Sequence, residues 1–263
     1  MEIPFSSNDS YDTSPNTPRR ILDRLSLGTR TYFMASFISV VLHSRKLALQ
    51  GLYDTKAWIA SSFDVFKIIE RCGGRFHISG LSNIRKFPGP VVFVSNHMST
   101  LETLVFPCLI APFKEVVFVI KDSLVKQRYF GPIARARNPI VIGRKNSRED
   151  LVTVINKGQE HLSKGTSIII FPQSTRTKEL DPEHFNTLGV KLAAKAGVPV
   201  VPVAIKTDFW ENGKHWRDLG PIKRKRPIYM EFAEPLTIHG TGKDEHTKII
   251  DFISSRLTEW QKD

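Results

Sequence analysis

The stretch VVFVSNHMSTLETLV, residues 91–105, decides the fold that we predict for this chain. Residues 91–94 form a short apolar run rich in β-branched valine, which is typical of a buried strand. The run breaks at Ser95 and Asn96, and an apolar pattern with helical spacing then continues through Ile110. These residues predict a strand that turns directly into a helix.

A histidine and a carboxylate lie at this predicted turn. His97 follows the strand, and Glu102 comes five positions later. A carboxylate that accepts the N–H on one side of an imidazole leaves the opposite ring nitrogen available as a general base. The alternative is structural: residues 99–102, STLE, also match a capping box, which explains Glu102 without any chemistry. The stretch by itself leaves both interpretations open.

On both sides of this stretch, short β-rich runs alternate with segments of helical periodicity. The predicted strands are residues 76–78, 91–94, 116–120, 140–142, 167–171, 200–205 and 228–232. The predicted helices are residues 99–110, 147–162, 186–196 and 245–260. This alternation is typical of an α/β fold with a mostly parallel central sheet flanked by helices, and we predict that class.

Several charged or titratable side chains fall where predicted strands end. His97 and Arg144 each follow a strand, Lys121 ends another, and Arg176 lies just beyond a fourth. In an open α/β sheet, ligands gather at the carboxyl ends of the strands. We therefore expect these sequence-distant residues to share one edge of the sheet.

Two regions precede the predicted α/β domain, which we assign to residues 74–263. Residues 1–28 are rich in Ser, Thr, Asn, Pro and Asp and lack the apolar segment of a signal peptide, so they predict a disordered polar tail. Residues 29–73 hold two helix-like segments, an apolar one at 32–42 and an amphipathic one at 54–72. No stretch reaches the ~18–20 apolar residues that span a bilayer, so we expect no transmembrane segment.

The predicted helical pair has two interpretations. It could simply pack onto the domain. It could also be an interfacial anchor, with apolar residues among acyl chains and Arg30, Arg45, Lys46 and Lys56 near lipid phosphates.

The chain is strongly basic, with 38 Lys and Arg against 26 Asp and Glu and a formal charge of +12. This charge favours an anionic partner: a nucleic acid, an anionic membrane surface or a phosphorylated substrate. Cys72 and Cys108 show no redox spacing, so a reducing, cytosolic setting is the default expectation. No histidine or cysteine spacing is typical of a metal site, and no nucleotide-binding fingerprint is present.

Four blocks, in order, resemble the glycerolipid acyltransferases, the family that includes 1-acyl-glycerol-3-phosphate acyltransferase. NHMSTLE at 96–102 is similar to the family's N-H-x4-D, and FPQSTR at 171–176 to its F-P-E-G-T-R. IVIGR at 140–144 and VPVVPV at 198–203 resemble its second and fourth blocks. The segment from Lys121 to Leu124, followed by Gly131, resembles its K-x-E-L…G. The resemblance covers about residues 75–234.

The resemblance implies an enzyme that moves a fatty acyl group from acyl-CoA or acyl carrier protein to the free hydroxyl of lysophosphatidic acid, giving phosphatidic acid. It implies that His97 is the general base and Glu102 its orienting carboxylate. The acceptor hydroxyl would attack directly, which agrees with the lack of a G-x-S-x-G nucleophile motif. No cofactor is expected beyond the acyl-CoA or acyl carrier protein co-substrate.

The same resemblance implies a site for the acceptor phosphate. Arg144 and Arg176 would hold the phosphate with their guanidinium groups, and Lys121 would add a point charge. Ser174 and Thr175 would supply hydroxyl or backbone donors. An anionic phospholipid membrane is then an expected partner, with the protein peripheral or monotopic on the cytoplasmic face of the cell membrane.

Three residues depart from the family pattern. Glu102 replaces an aspartate, Gln173 a glutamate, and Ser174 a glycine. The last two leave the details of the phosphate site open. They also leave alternatives: another lysophospholipid or a lyso-aminolipid as acceptor, or a non-catalytic membrane-binding protein on this scaffold. We expect no nucleic-acid partner, because the aromatic residues fall mostly in apolar helical stripes and not among basic residues on a sheet.

Overall fold

In the computed structural model, which describes Phe5 and residues 8–26, 29–173, 175–214 and 217–262, one eight-stranded sheet forms the centre of the molecule. The strands are β1 (Tyr11–Asp12), β2 (Phe76–Ser79), β3 (Val92–Ser95), β4 (Val116–Lys121), β5 (Ile140–Ile142), β6 (Ser167–Ile170), β7 (Val200–Lys206) and β8 (Ile228–Phe232). The α-helices are α1 (Ile21–Leu25), α2 (Thr31–Leu49), α3 (Thr55–Arg71), α4 (Asn83–Lys86), α5 (Leu101–Ile110), α6 (Asp122–Lys126), α7 (Phe130–Arg135), α8 (Ser147–Ser163), α9 (Leu188–Ala196) and α10 (Lys243–Trp260).

The strand order in the sheet is β1-β2-β8-β7-β3-β6-β4-β5. The β1–β2 and β7–β8 pairs are antiparallel, and every other neighbouring pair is parallel. Central strands β3 and β6 are buried along their whole length, because helices cover both faces of the sheet. The side chains of these two strands are accordingly almost all apolar. The prediction of an α/β fold with a mostly parallel sheet flanked by helices is confirmed.

Helices α2 and α3 pack against this sheet domain and share its hydrophobic core. Phe33 and Phe37 of α2 contact Trp210 edge-on, with ring centroids 4.8 and 5.1 Å away. Trp58 of α3 meets Phe118 of β4 at 6.0 Å. The interpretation of the pair as ordinary packing therefore describes one side of these helices.

The opposite side of α2 exposes large apolar side chains. Ile38, Leu42 and Leu49 are 46%, 49% and 59% exposed. Their spacing of four and seven residues puts them on one face of the helix, with Phe33 and Phe37 on the other. Among the described residues, no helix combines the length and the apolar character needed to cross a bilayer.

The prediction of a disordered polar tail over residues 1–28 is wrong for the residues described there. Strand β1 pairs with β2, and α1 packs against α2. Asp23 of α1 is fully buried, with Arg19 Nε donating to it at 2.7 Å and Arg224 Nη2 at 2.7 Å. Composition suggested disorder because these residues are polar, but paired charges satisfy one another and order the segment.

Candidate active site

The five adjacent strands β7, β3, β6, β4 and β5 run parallel, so their carboxyl ends lie along one edge of the sheet. The residues at or just beyond those ends are, in the same order, Thr207, His97, Phe171, Lys121 and Arg144. Except for Thr207, these side chains line one cavity together with Thr175 and Arg176. The structure therefore brings together the sequence-distant residues that were expected to share one edge.

Asn96 fixes the turn that presents His97. Its Nδ2 donates to the carbonyl of Ile205 on β7 at 2.8 Å, and the N–H of Ile205 donates back to Asn96 Oδ1 at 2.9 Å. The buried amide thus extends the β3–β7 pairing by one side chain after the backbone has turned away. Both ends of one buried amide therefore fix the turn that presents His97.

The imidazole of His97 is oriented by Glu102. His97 Nδ1 lies 2.9 Å from Glu102 Oε1, and because a carboxylate only accepts, Nδ1 carries the proton and donates it. The same oxygen accepts the N–H groups of Met98 and Ser99 at 2.7 and 2.8 Å. The other oxygen accepts the hydroxyls of Ser99 and Thr207 at 2.9 and 2.7 Å. Both oxygens of the carboxylate therefore accept at least two hydrogen bonds each. Because Nδ1 donates to Glu102, Nε2 is the ring nitrogen that can accept a proton.

Glu102 has no exposed surface. Burial alone would raise the pKa of Glu102. The hydrogen bonds from His97, Ser99 and Thr207, together with the charge of His97, outweigh burial and hold the pKa below its ordinary value. The carboxylate is consequently ionised at neutral pH. An ionised carboxylate at Nδ1 fixes the tautomer in which Nε2 can accept a proton.

Residues 99–102 form part of the predicted capping box. Glu102 Oε1 accepts the N–H of Ser99 at 2.8 Å, and Ser99 Oγ accepts the N–H of Leu101 at 3.0 Å, but Thr100, the N-cap residue of α5, makes no side-chain capping hydrogen bond. The same Glu102 also binds the imidazole of His97. One carboxylate therefore holds both the imidazole and the turn that leads into α5.

Gln173 supports the backbone of the His97 turn. Its Oε1 accepts the N–H of His97 at 2.6 Å, and its Nε2 donates to Thr177 Oγ1. The N–H of Thr177 in turn donates to the carbonyl of His97 at 3.0 Å. An amide can accept at one end and donate at the other, so the departure from glutamate at this position is compatible with an ordered site.

The imidazole of His97 stacks on Phe171, with ring centroids 4.3 Å apart and planes 22° from parallel. The ring of Phe171 is also stacked on that of Phe118, with centroids 6.2 Å apart, and Phe118 contacts Trp58 edge-on. These rings continue from the base into the wall of the cavity. The ring of His97 is 13% exposed, so it is shielded but accessible from the cavity mouth.

The cavity that begins at His97 has a volume of about 420 Å³, within the range of small-molecule sites. It extends between α2, α3, β4 and α7. Its inner wall is mostly apolar, lined by Val40, Val41, Val65, Leu104, Leu124, Phe130 and Ile133 among others. An apolar chain fits such a wall, and a charged headgroup does not.

The mouth of the cavity is basic. Arg176 is 20% exposed, and its Nη2 lies 2.7 Å from Asp218 Oδ1. Arg144 has a left-handed backbone (φ 56°), held because Asp150 accepts its N–H at 2.9 Å. Burial lowers the pKa of Arg144; Asp150 opposes this effect and the nearby Arg176 adds to it. Both arginines line the same cavity, so both contribute positive charge to it.

The remaining predicted phosphate residues differ in how well they are placed. Lys121 lines the cavity at the end of β4. Thr175 lines it too, but its hydroxyl accepts a hydrogen bond from Arg217 Nη1 at 2.6 Å. Ser174 lies outside the described residues, so its predicted role stays a prediction.

The sequence did not single out three residues in the loop between β7 and β8. From this loop, Asn212 Oδ1 accepts a hydrogen bond from Arg176 at 3.4 Å, and Arg217 and Asp218 line the cavity mouth. Nothing in the local sequence marks these residues. Thr207 could have been found, because it lies two residues after a predicted strand, 200–205, at the edge where the ligands were expected.

Neither cysteine is placed to attack a substrate. Burial raises the pKa of both Cys72 and Cys108 to about 12, and neither lines the cavity. Within the part of the chain that the structure describes, no group of three or more His, Cys, Asp or Glu side chains is arranged to hold a metal ion. Among the described residues that line the cavity, His97 is the one histidine.

His97, hydrogen-bonded to the buried Glu102, thus lies between a basic rim and an apolar cavity. Comparison with known proteins identifies the family. Residues 75–206 match the family model described as acyltransferase, and the chain belongs to that family. It is an acyltransferase.

Relatives with named activities extend the match beyond these residues. The chain is 27% identical over 233 residues to 1-acyl-sn-glycerol-3-phosphate acyltransferase of Pseudomonas aeruginosa, covering 89% of this chain and 82% of the relative. The enzyme of the same name from Haemophilus influenzae is 23% identical over 210 residues, with 73% and 81% covered.

The crystal structure of the 1-acyl-sn-glycerophosphate acyltransferase PlsC from Thermotoga maritima shows the same fold. Its TM-score is 0.65 at 19% identity, and the match covers 92% of this chain and 98% of that one. The N-terminal helices are thus part of the shared architecture.

Proposed function

We propose that this acyltransferase transfers a fatty acyl group from an acyl thioester to the free hydroxyl of lysophosphatidic acid, giving phosphatidic acid. The observation that carries the proposal is the His97–Glu102 pair at the mouth of an apolar cavity, beside Arg144 and Arg176. The relatives that extend over most of the chain are named for this reaction, which supports the choice of acceptor.

In the proposed reaction, His97 Nε2 takes the proton of the acceptor hydroxyl while its oxygen attacks the thioester carbonyl. The oxygen–carbon bond forms, the carbon–sulfur bond breaks, and the thiolate that leaves takes the proton back from the imidazolium. Glu102 stabilises that imidazolium through Nδ1. No covalent acyl-enzyme is needed, because the acceptor itself is the nucleophile.

The basic rim suits the acceptor phosphate. Arg144 and Arg176 would bind it, and holding the acceptor there would keep its hydroxyl near His97, which is how positioning lowers a barrier. The acyl chain would lie in the apolar cavity between α2, α3 and α7. An assay with both donors distinguishes coenzyme A from acyl carrier protein as the carrier of that chain.

We also propose that the protein works as a peripheral protein at an anionic membrane surface, on the cytoplasmic face. Exposed apolar residues on α2 (Ile38, Leu42, Leu49) are accompanied by Ile21, Leu22 and Leu25 on α1, which are 72%, 60% and 68% exposed. Apolar side chains beside arginines suit an interfacial anchor. Sedimentation with anionic liposomes should fall for Leu42→Glu and not for Val152→Glu, a matched change on exposed α8.

The decisive assay is acyl transfer to lysophosphatidic acid in anionic liposomes, from acyl-CoA and from acyl carrier protein. For His97→Ala we expect a loss of about 10²–10⁴-fold or more in kcat, the range for removing a general base. His184→Ala is the matched control, because His184 pairs with Asp181 on the exposed surface. Activity in His97→Ala within a few fold of wild type would contradict the mechanism, and folded wild type without transfer would contradict the function.

A further inference from the structure

The loop between β7 and β8 places an acidic side chain in the basic mouth of the cavity. Asp218 Oδ1 lies 2.7 Å from Arg176 Nη2 and accepts the hydroxyl of Thr100 at 3.0 Å. Asp218 lies beyond residues 75–206, the part that matches the family model. A guanidinium and a hydroxyl are the donors that a phosphate oxygen would use, so the carboxylate occupies an anion position.

The fold, and not only the ion pair, brings Asp218 to this position. Arg217 Nη1 donates to Thr175 Oγ1 at 2.6 Å, and Arg217 Nη2 donates to the carbonyl of Arg176 at 3.4 Å. At the base of the loop, Trp210 is held between two phenylalanines of α2, and Arg30 donates to the carbonyl of Leu219. The loop is therefore attached on both sides of the mouth.

The Asp218–Arg176 pair is nevertheless exchangeable. The Asp218 side chain is 44% exposed, against none for the carboxylate of Glu102. Ion pairs that water reaches contribute little to stability, so an incoming anion can replace this carboxylate without a large penalty. A phosphate monoester brings a charge of about −1.5 to −2 and three terminal oxygens, against one charge for the carboxylate.

We propose that Asp218 is the exchange partner of the acceptor phosphate. Arg176 passes from Asp218 to the phosphate when the acceptor binds, and returns to Asp218 when the product leaves. The inference rests on the proposed function in taking the acceptor to be a phosphate monoester. The product keeps the same phosphate, so a carboxylate that competes for Arg176 weakens binding of both and prevents the arginines from retaining the product.

Competition of this kind lowers the apparent affinity for the phosphate, because only the fraction of protein in which Arg176 is not paired with Asp218 can bind it. The test is Asp218→Asn, which keeps the shape and removes the charge. We expect the KM for lysophosphatidic acid, and the inhibition constant of phosphatidic acid, each to fall about three- to tenfold. Asp251→Asn on α10 is the control for net charge, because Asp251 is exposed and does not line the cavity.

A binding measurement separates this proposal from the proposed function, because it needs no turnover. Inorganic phosphate is titrated into wild type, Asp218→Asn, Arg176→Ala and the double variant, with phosphorus NMR as the readout. We expect tighter phosphate binding in Asp218→Asn, and no such gain when Arg176 is already alanine. If wild type shows this binding pattern but no transfer activity, lysophosphatidic acid is refuted as the acceptor, and the exchange of Arg176 between Asp218 and phosphate is supported.

Three results would overturn the exchange. One is unchanged phosphate binding in Asp218→Asn. Another is a gain that persists in the Arg176→Ala background, which would show that Asp218 acts elsewhere. The last is a selective loss of activity towards an acceptor with a cationic headgroup, such as lysophosphatidylethanolamine, which would make Asp218 a partner for an ammonium group.

Discussion

Two carboxylates each pair with a nitrogen-containing side chain that lines the cavity, and they differ in almost every other respect. Glu102 is fully buried and accepts five hydrogen bonds from described residues, including one from His97. Asp218 is 44% exposed and accepts from Thr100 and Arg176. The first is fixed by its surroundings, and the second is held only loosely. In the proposed mechanism, the catalytic end of this site is therefore rigid and the binding end is exchangeable.

The largest effect should come from Glu102→Gln, which breaks the rigid pair. The amide oxygen of glutamine can still accept the N–H groups of Met98 and Ser99, and its NH2 group can donate to the hydroxyl of Thr207. The neutral amide cannot, however, stabilise an imidazolium with a full negative charge. We expect kcat to fall about 10²–10⁴-fold. Glu102→Asp is the control, since it keeps the charge and restores the residue of the family motif. Equal losses in both variants would mean that geometry, and not charge, is what Glu102 supplies.

The same variant should change how stability depends on pH. Despite burial, the hydrogen bonds of Glu102 hold its pKa below the ordinary 4.5, so the native protein binds fewer protons there than the unfolded chain. The stabilisation is therefore fully present above pH 4.5 and is lost as the pH falls through the lower native pKa. Urea unfolding from pH 7 to 3 should show that the free energies of unfolding of wild type and Glu102→Gln converge as the pH falls below the native pKa of Glu102. A constant gap would contradict the assignment.

A smaller effect is expected from Thr207→Val, which removes one of the five hydrogen bonds to Glu102 and keeps the shape. Hydrogen bonds to charged groups contribute about 1.5–3 kcal/mol, so the free energy of unfolding should fall by about that amount. We expect kcat to fall about three- to tenfold, because the carboxylate loses part of its fixed position. Thr258→Val on α10 is the control, since that hydroxyl bonds an exposed helical carbonyl.

The smallest effect should come from Arg217→Ala, which loosens the exchangeable pair from outside. Arg217 is exposed, and its contacts to Thr175 and Arg176 are therefore individually weak. We expect the KM for lysophosphatidic acid to fall about two- to threefold, less than for Asp218→Asn, with kcat little affected. Arg71→Ala, an exposed change on α3, is the control. A rise in KM would show that Arg217 itself binds the acceptor.

The sequence predicted the rigid half of this comparison and not the exchangeable half. His97 and Glu102 are five residues apart on a strand-to-helix turn, so the local pattern allowed their pairing, and the resemblance of four blocks to the acyltransferases favoured it. Likewise the seven predicted strands were found, because buried parallel strands are short β-branched runs that contrast with their neighbours. Arg217 and Asp218 meet Arg176 only through the path of a long loop, which local pattern does not encode.

The N-terminal segment was missed for a related reason. Asp23 is buried only because Arg19 and Arg224, the latter some two hundred residues away, neutralise it. Arg224 belongs to a basic run, residues 223–226, whose sequence favours exposure to solvent, with contact to anionic lipid or to the phosphates of coenzyme A as the alternative. The pairing that orders the segment thus depends on two regions that look unrelated until the chain is folded.

Glu102 both holds the turn before α5 and binds the imidazole of His97, and this affects how such a protein can lose its activity over evolution. Removing Glu102 opens the turn at the start of α5 and leaves buried donors without an acceptor, so selection for a folded chain protects it whether or not acyl transfer is needed. The His97 side chain packs on Phe171 and gives up one hydrogen bond when lost. A lineage that abandons catalysis should therefore lose the histidine first and keep the carboxylate, so that the histidine, and not its partner, is the marker of a working enzyme.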